Sequence, residues 1–483
     1  MYKEVARIDK TLRPYQQTAK EEIFSAWDEC DNVMFQMPTG TGKTRLFTSI
    51  ISDIKAWGII SQSSQRILII AHRVELIEQI SESLEKYKVS HGVIAGGKSR
   101  NLIPDVQVAS IQTITHRTNK DVAENLGADF IIIDEAHHST ANSYKKLWSL
   151  YPESKKLGVT ATPWRMNHLG FTSIYDKLIV SKSIKDFIDE GWLAPYSYYS
   201  VKDNSNIRQD INNIDEFDVE GDYKVSALER VMDSASIRAN LLDSYMKLAK
   251  GKKGIIYSIS RKHSDHICEE YKQAGIKIVR IDSETPRDER RLHVQRFKNG
   301  QIDIIVNVDI FSEGFDCPDI EFIQLARPTK SLVKYLQQVG RGLRTTENKA
   351  KCVILDNVGA HIEFDLPNAD RDWFYEFEGD YTPRKKRSSS ASPVEKELKE
   401  RNFDEGADDL CLIDDVGGYS LKEESRVAWS EDDDILLRTL FIDRKCSINV
   451  IASVFVKDED VVCNRLKELG IYNDVEEGAH VDE

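Results

Sequence analysis

Residues 37–44 read MPTGTGKT, between the apolar run VMFQM (33–37) and the helix-forming stretch RLFTSIISDI (45–54). A strand, a glycine-rich turn and a helix start in that order make a phosphate-binding loop. The glycines let backbone approach an anion, and the N–H groups with the helix N-terminus hold it. Thr39, Gly40, Thr41 and Gly42 are the expected cradle. Lys43 would reach the β- and γ-phosphates, and the Thr44 hydroxyl would take Mg²⁺. The strict pattern asks for glycine where Met37 stands.

About 90 residues on lies IIIDEAHHS (131–139). An apolar strand ends here in two carboxylates. The spacing expects Asp134 to hold Mg²⁺ and Glu135 to orient and deprotonate the attacking water. Towards the far end, YLQQVGRGLR (335–344) carries Arg341 and Arg344 three apart, which on a helix places them on one face. Two such forks could reach a γ-phosphate from a second domain.

The surrounding pattern supplies that domain. The runs RILIIA (66–71), VQVASI (106–111), FIIID (130–134) and KLGVTA (156–161) are apolar on both faces, as central parallel strands are. A second series follows: KGIIYSI (253–259), IKIVRI (276–281), IDIIVNV (302–308), IEFIQLA (320–326) and KCVILDN (351–357). The expected fold is α/β: two tandem domains with parallel sheets, plus a small C-terminal helical unit. The expected boundaries are 1–199, a polar linker 200–225, 226–380, an acidic, Ser-rich linker 381–425, three helices over 426–472, and an acidic tail 473–483. Ser430, Ser447 and Asp458 are candidate caps for those helices, and Gly470 is the stop. Their core would use Trp429, Leu436, Leu440, Ile451, Phe455, Val462, Leu466 and Leu469.

At 483 residues, 40% hydrophobic and 30% charged, the chain is ordinary globular material of about three domains. No run of about 20 apolar residues exists, so no membrane partner is expected, and the polar N-terminus points away from secretion. Seven scattered cysteines with no CxxC pair argue against a disulfide framework and a zinc ribbon, and fit a reducing cytoplasm. The net charge of -14 is local: residues 391–483 hold 11 Lys+Arg against 25 Asp+Glu, leaving 55 of each in residues 1–390. A neutral body can hold a basic groove, but a phosphate backbone repels the tail.

Taken together, these motifs resemble a superfamily 2 helicase or translocase with two RecA-like domains, over roughly residues 10–375. LRPYQ (12–16) is similar to the adenine-contacting motif, which implies Gln16 and Arg13 as contacts. IIAHRVELIEQ (69–79) and ASIQTI (109–114) resemble motifs Ia and Ib. DEAH (134–137) matches motif II, and GVTATPWR (158–165) motif III. The resemblance makes His137, Thr160 and Thr162 coupling residues. VNVDIFSEGFDCPDI (306–320) resembles motif V, with Glu313, Gly314 and Asp316 at its signature positions. QQVGRGLR (337–344) resembles motif VI, which adds Gln337 to the nucleotide set. The stretch 326–344 is close to RadD-like and XPB-like helicases and to restriction-system helicase subunits. The zinc elements of RadD-like proteins and a restriction-type nuclease signature are both missing from the sequence.

The resemblance implies ATP and Mg²⁺ as cofactors and DNA, single-stranded or duplex, as partner. It implies work in repair, replication or phage defence. Candidate backbone contacts are His72, Arg73, Ser110, Gln112 and Thr113 in the first domain, and Ser260, Arg261 and Lys262 in the second. His263 and His266 lack a matching ligand cluster, and RKKR (384–387) reads as a solvated run. Two other readings stay open: an RNA helicase, or an ATP-gated scaffold whose residues 426–483 recruit a protein. The last helix offers Asn464, Arg465 and Lys467 to DNA, but acids opening the first helix favour protein docking. With both halves of the ATP site in one chain, a monomer is the default.

Overall fold

In the computed structural model the described residues are 2–96, 101–116, 126–308, 317–346, 349–379, 410–416, seven positions between 434 and 451, and 459–471. The chain divides into two compact units, Met1–Val416 and Gly417–Glu483. The first unit holds two seven-stranded sheets.

The first sheet contains β1 (Asn32–Gln36), β2 (Ile67–Ala71), β3 (Gly92–Ile94), β4 (Val106–Ser110), β5 (Phe130–Asp134), β6 (Lys155–Thr160) and β7 (Lys177–Val180). Their spatial order is β3-β4-β2-β5-β6-β1-β7, and every pairing is parallel. The apolar runs read as central strands are central because both their faces are covered. Along β2, Ile67 and Ile69 enter one core while Leu68 and Ile70 enter the other.

The second sheet contains β8 (Tyr196–Ser200), β9 (Gly254–Tyr257), β10 (Ile278–Ile281), β11 (Ile304–Asn307), β12 (Phe322–Leu325), β13 (Cys352–Asp356) and β14 (Cys411–Val416). Its order, β10-β11-β9-β12-β13-β8-β14, repeats the first sheet strand for strand. The one change of sense is at the edge, where β14 runs antiparallel to β8.

This repeat moves two expected boundaries. β8 is the second lobe's counterpart of β1, so that lobe begins inside the span 1–199 given to the first. Its sequence, YSYYS, hides core residues behind hydroxyls. Tyr196 and Tyr198 are buried, with their O–H groups donated to Asn368 Oδ1 at 2.6 Å and Asp356 Oδ2 at 2.9 Å. The linker expected over 200–225 is packed structure: the helix Asn206–Asn212 buries Ile207 and Ile211, and Asp222 is buried against Lys334 at 2.9 Å. Likewise β14 lies within the expected linker 381–425. Leu410, Ile413 and Val416 pack on the second lobe's core.

Between β13 and β14 the chain returns to the first lobe. The helix Trp373–Glu378 places Phe377 among Phe171, Ile174 and Tyr175, with its ring stacked on Phe171 at 6.4 Å. The Phe171 N–H donates to the Phe377 carbonyl at 2.7 Å. Gly379, at φ +68, passes so close that a methyl group there would lie 2.0 Å from the Gly170 nitrogen. Phe377→Ala should therefore cost about 3–5 kcal/mol of first-lobe stability, read as a lower denaturant midpoint. An unchanged midpoint would show that this clasp contributes nothing.

In the second unit Leu437, Ile451, Val462 and Leu466 form a core, with Leu469 against it. The helix Glu459–Glu468 matches the expected last helix. Trp429, Leu436, Leu440, Phe455 and the caps Ser430, Ser447 and Asp458 fall outside the described residues. Among the described residues no helix is long and apolar enough to cross a membrane.

Candidate active site and nucleic-acid track

The phosphate loop and the two carboxylates lie at the carboxyl ends of β1 and β5, where open α/β sheets bind ligands. After β1 the loop turns on Gly40 and Gly42, at φ +89 and +91, and the helix Lys43–Ile60 starts at once. Met37 is fully buried, and its N–H donates to the Thr160 carbonyl at 2.9 Å. The turn needs positive φ at Gly40 and Gly42 and not at Met37, which explains why a large residue is tolerated there.

The loop is braced from behind. Gln16 Nε2 donates to the carbonyls of Thr41 at 3.0 Å and Gly42 at 3.2 Å. The Thr41 hydroxyl donates to the Pro38 carbonyl at 2.7 Å. The Tyr15 hydroxyl, which the sequence did not single out, also donates to the Thr41 carbonyl, at 2.8 Å. Arg13 donates to that hydroxyl at 2.9 Å and lies 5.0 Å over the Trp192 ring. Trp192 was missed because its stretch, EGWLAPY, reads only as an apolar turn.

Lys43 is half-buried and donates to the carbonyls of Met37 at 3.1 Å and Pro38 at 3.3 Å. Burial pushes its amine below the usual lysine range, while Glu135 and Asp134 counter that and Arg341 and Arg344 reinforce it. At the end of β5, Glu135 adopts φ +51, a left-handed conformation that costs a side-chain-bearing residue roughly 1–2 kcal/mol. Its N–H donates to Asp134 Oδ1 at 3.0 Å, which helps hold the turn. From Glu135 a polar chain runs inward. Its Oε2 is 3.4 Å from His137 Nδ1, and that nitrogen is 3.0 Å from the Thr160 hydroxyl. The Thr162 N–H donates to the same hydroxyl at 3.2 Å. The three expected coupling residues thus sit in one hydrogen-bonded row.

The second lobe closes over this loop. A methyl group at Gly340 would lie 2.8 Å from Thr39 Cβ, and one at Gly40 would lie 3.2 Å from Arg344 Cγ. Arg341 and Gln337 are buried on the helix Leu332–Gly342. One expectation changes: that helix ends at Gly342, so Arg344 lies beyond it and does not share a helical face with Arg341. The two arginines converge because the chain folds over the loop, not because of helical spacing. Gly314, Asp316 and Glu313 lie outside the described residues.

The chemistry of the cleft's lining fits a magnesium-bound triphosphate. Three cations (Lys43, Arg341, Arg344) face two carboxylates (Asp134, Glu135), an excess of positive charge at a site where Asp134, Glu135 and Arg341 are buried. The turn is also bare of side chains at Gly40 and Gly42.

The candidate track follows the same strand ends. His72 and Arg73 follow β2, with Arg73 at the N-cap of the helix Val74–Lys86. Ser110 donates to Gln112 Oε1 at 2.6 Å, and Gln112 Nε2 donates to the His72 carbonyl at 3.1 Å, tying two loops together. Thr113 lies in the single turn Ile111–Ile114. In the second lobe, Ser260 caps the helix Arg261–Gln273, accepting from the His263 N–H at 3.3 Å. Arg261 pairs with Glu284, and Lys262 lies 3.8 Å from Asp233. His263 is fully buried, and burial lowers its pKa to about 4, so it is neutral core. Among the described residues no cluster of three His, Cys, Asp or Glu could hold a metal. In the second unit Arg465 pairs with Asp434 at 2.7 Å and with Glu468 at 2.7 Å. The Asn464 side chain is outside the described residues.

Residues 9–165 match the family of the type III restriction enzyme res subunit, and residues 237–346 match the helicase conserved C-terminal domain. A 51.5 kDa protein of a Lactococcus phage is 35% identical over 353 residues, covering 72% of this chain and 70% of that one. A putative ATP-dependent helicase, IRC3, of Saccharomyces cerevisiae is 32% identical over 363 residues, covering 72% and 52%. The DNA 3'-5' translocase XPB2 of Sulfurisphaera tokodaii is 26% identical over 376 residues, covering 70% and 80%. The chain thus spans about half of the yeast protein but most of the other two. Among solved structures, a fragment of a putative HsdR subunit of a type I restriction enzyme from Vibrio vulnificus superposes with TM-score 0.60 at 22% identity, covering 79% of this chain and 69% of that one. Two matched helicase domains in order, and a phage relative at this identity and coverage, place the chain in the superfamily 2 helicases, as a nucleic-acid-dependent ATPase with tandem RecA-like lobes.

Proposed function

We propose that this chain is an ATP-driven DNA translocase that remodels duplexes as it moves. The observation that carries the reading is the convergence of Lys43, Asp134 and Glu135 from one lobe with Arg341 and Arg344 from the other. Thr44 and Asp134 would hold Mg²⁺, which would supply positive charge to offset that of the phosphates. Lys43 draws the triphosphate into the loop, exchanging its two carbonyl acceptors for phosphate oxygens. Glu135 accepts the proton of the attacking water, and the arginines stabilise charge on the leaving phosphates. The row from Glu135 through His137 to Thr160 and Thr162 links that event to the lobe interface. The name of the XPB2 relative supports DNA over RNA as the track.

The reading is tested by steady-state ATPase assays with single-stranded DNA, duplex DNA, RNA or no polymer, at two salt concentrations. Stimulation by DNA that weakens with salt is expected. A Lys43-dependent rate that no polymer changes would overturn it. In the same assay Glu135→Gln should bind ATP normally and turn it over about 10²–10⁴-fold more slowly, the usual worth of a general base. Turnover equal to wild type would remove Glu135 from that role.

A further inference from the structure

Glu75 and Arg290 are 215 residues apart in sequence and belong to opposite lobes. Glu75 lies in the first turn of the helix Val74–Lys86, directly after the candidate contacts His72 and Arg73. Arg290 lies in the first turn of the helix Arg287–Lys298, just beyond the end of β10. Their side chains meet, with Arg290 Nη1 donating to Glu75 Oε1 at 2.8 Å. Arg290 Nη2 reaches the Asp282 carbonyl at 3.4 Å, and its buried Nε has no acceptor among the described residues.

Three second-lobe cations at the strand ends are paired with carboxylates: Arg261 with Glu284, Lys262 with Asp233 and Arg290 with Glu75. Of the three, Arg290 alone takes its carboxylate from the other lobe. The arrangement that brings Glu75 to Arg290 is also the one that presses Gly340 and Arg344 against the phosphate loop. Parting the lobes would separate both contacts together. A carboxylate and a backbone phosphate are both anions suited to the same guanidinium fork, so they compete for it.

We propose that Arg290 is a backbone-phosphate ligand of the track, and that Glu75 takes it away from the phosphate each time the lobes close. With the cleft open, Arg290 is unneutralised and grips the strand. With the cleft closed on nucleotide, Glu75 satisfies it and the second lobe's grip slackens. A motor needs such a state-dependent grip, because a lobe that held equally well throughout the cycle could not advance. The inference rests on the nucleic-acid reading above and adds a release step to it.

The test is anisotropy titration of a fluorescein-labelled oligothymidylate with the full chain, nucleotide-free and with saturating magnesium and the non-hydrolysable ATP analogue AMP-PNP. Glu75→Gln keeps the shape of the side chain and removes its charge. It should tighten binding about two- to fivefold with AMP-PNP, the worth of an exposed pair, and leave nucleotide-free binding unchanged. Arg290→Gln should weaken nucleotide-free binding and flatten its salt dependence by about one phosphate. Equal tightening by Glu75→Gln in both states, which simple loss of a negative charge would give, overturns the proposal, as does no tightening in either. Wild-type protein that binds no oligonucleotide in either state overturns the translocase reading beneath it. Normal wild-type binding with state-independent variants sinks the release step alone.

Discussion

Lys43→Ala should lower ATP turnover roughly 10³-fold, the upper range for deleting a donor aimed at developing negative charge. The ammonium is half-buried, and it donates to the loop carbonyls of Met37 and Pro38. Those two bonds are what the fold would lose. The loop keeps its other braces, from Gln16, Tyr15 and the Thr41 hydroxyl. The variant should therefore melt within a few degrees of wild type, since two hydrogen bonds are worth only about 1–3 kcal/mol net. The cost falls on the phosphates instead. Without Lys43 the cleft has two guanidiniums against two carboxylates, and its excess of positive charge is gone. ATP affinity and turnover should fall together. Turnover above a tenth of wild type, in protein of normal melting behaviour, would mean that another cation serves the γ-phosphate.

What could be read in the sequence depended on how local the chemistry is. The loop at 37–44 and the carboxylates at 134–135 are legible because a strand end, a turn and a side chain are neighbours in sequence. β3, with three residues, is too short to announce itself, and β7 is a half-buried edge strand whose run KLIV carries only three apolar residues. β8 and β14 were missed for a different reason: YSYYS and CLIDDV carry polar atoms into a sheet, and only partners far away satisfy them. Ser197 donates to Asp415 at 2.6 Å across 218 residues. The braces at Tyr15 and Trp192 and the pair Glu75–Arg290 were invisible for the same reason, since a contact between distant elements leaves no spacing to read. The converse error is Arg344, where three-residue spacing suggested a shared helical face but the helix stops at Gly342.

Arg341→Ala should leave ATP binding near normal and slow hydrolysis about 10³–10⁵-fold, the range for an arginine brought onto a γ-phosphate from a second domain. Arg341 is buried in the last turn of its helix, and its field is felt at Lys43. Arg344 is held differently, beyond the helix end and against Gly40. If hydrolysis needs a charge fixed at one point, the two will not substitute for each other. Arg344→Ala should then show a smaller defect, because a residue outside the helix is less rigidly aimed. Lysine at 341 should restore little, because a point charge on a flexible stem cannot reproduce a planar fork. The discriminating measurement is single-turnover hydrolysis beside ATP affinity for each variant. Wild-type hydrolysis in Arg341→Ala would rule out the finger. A matching loss of affinity and rate would assign Arg341 to ground-state binding, with no share specific to the transition state.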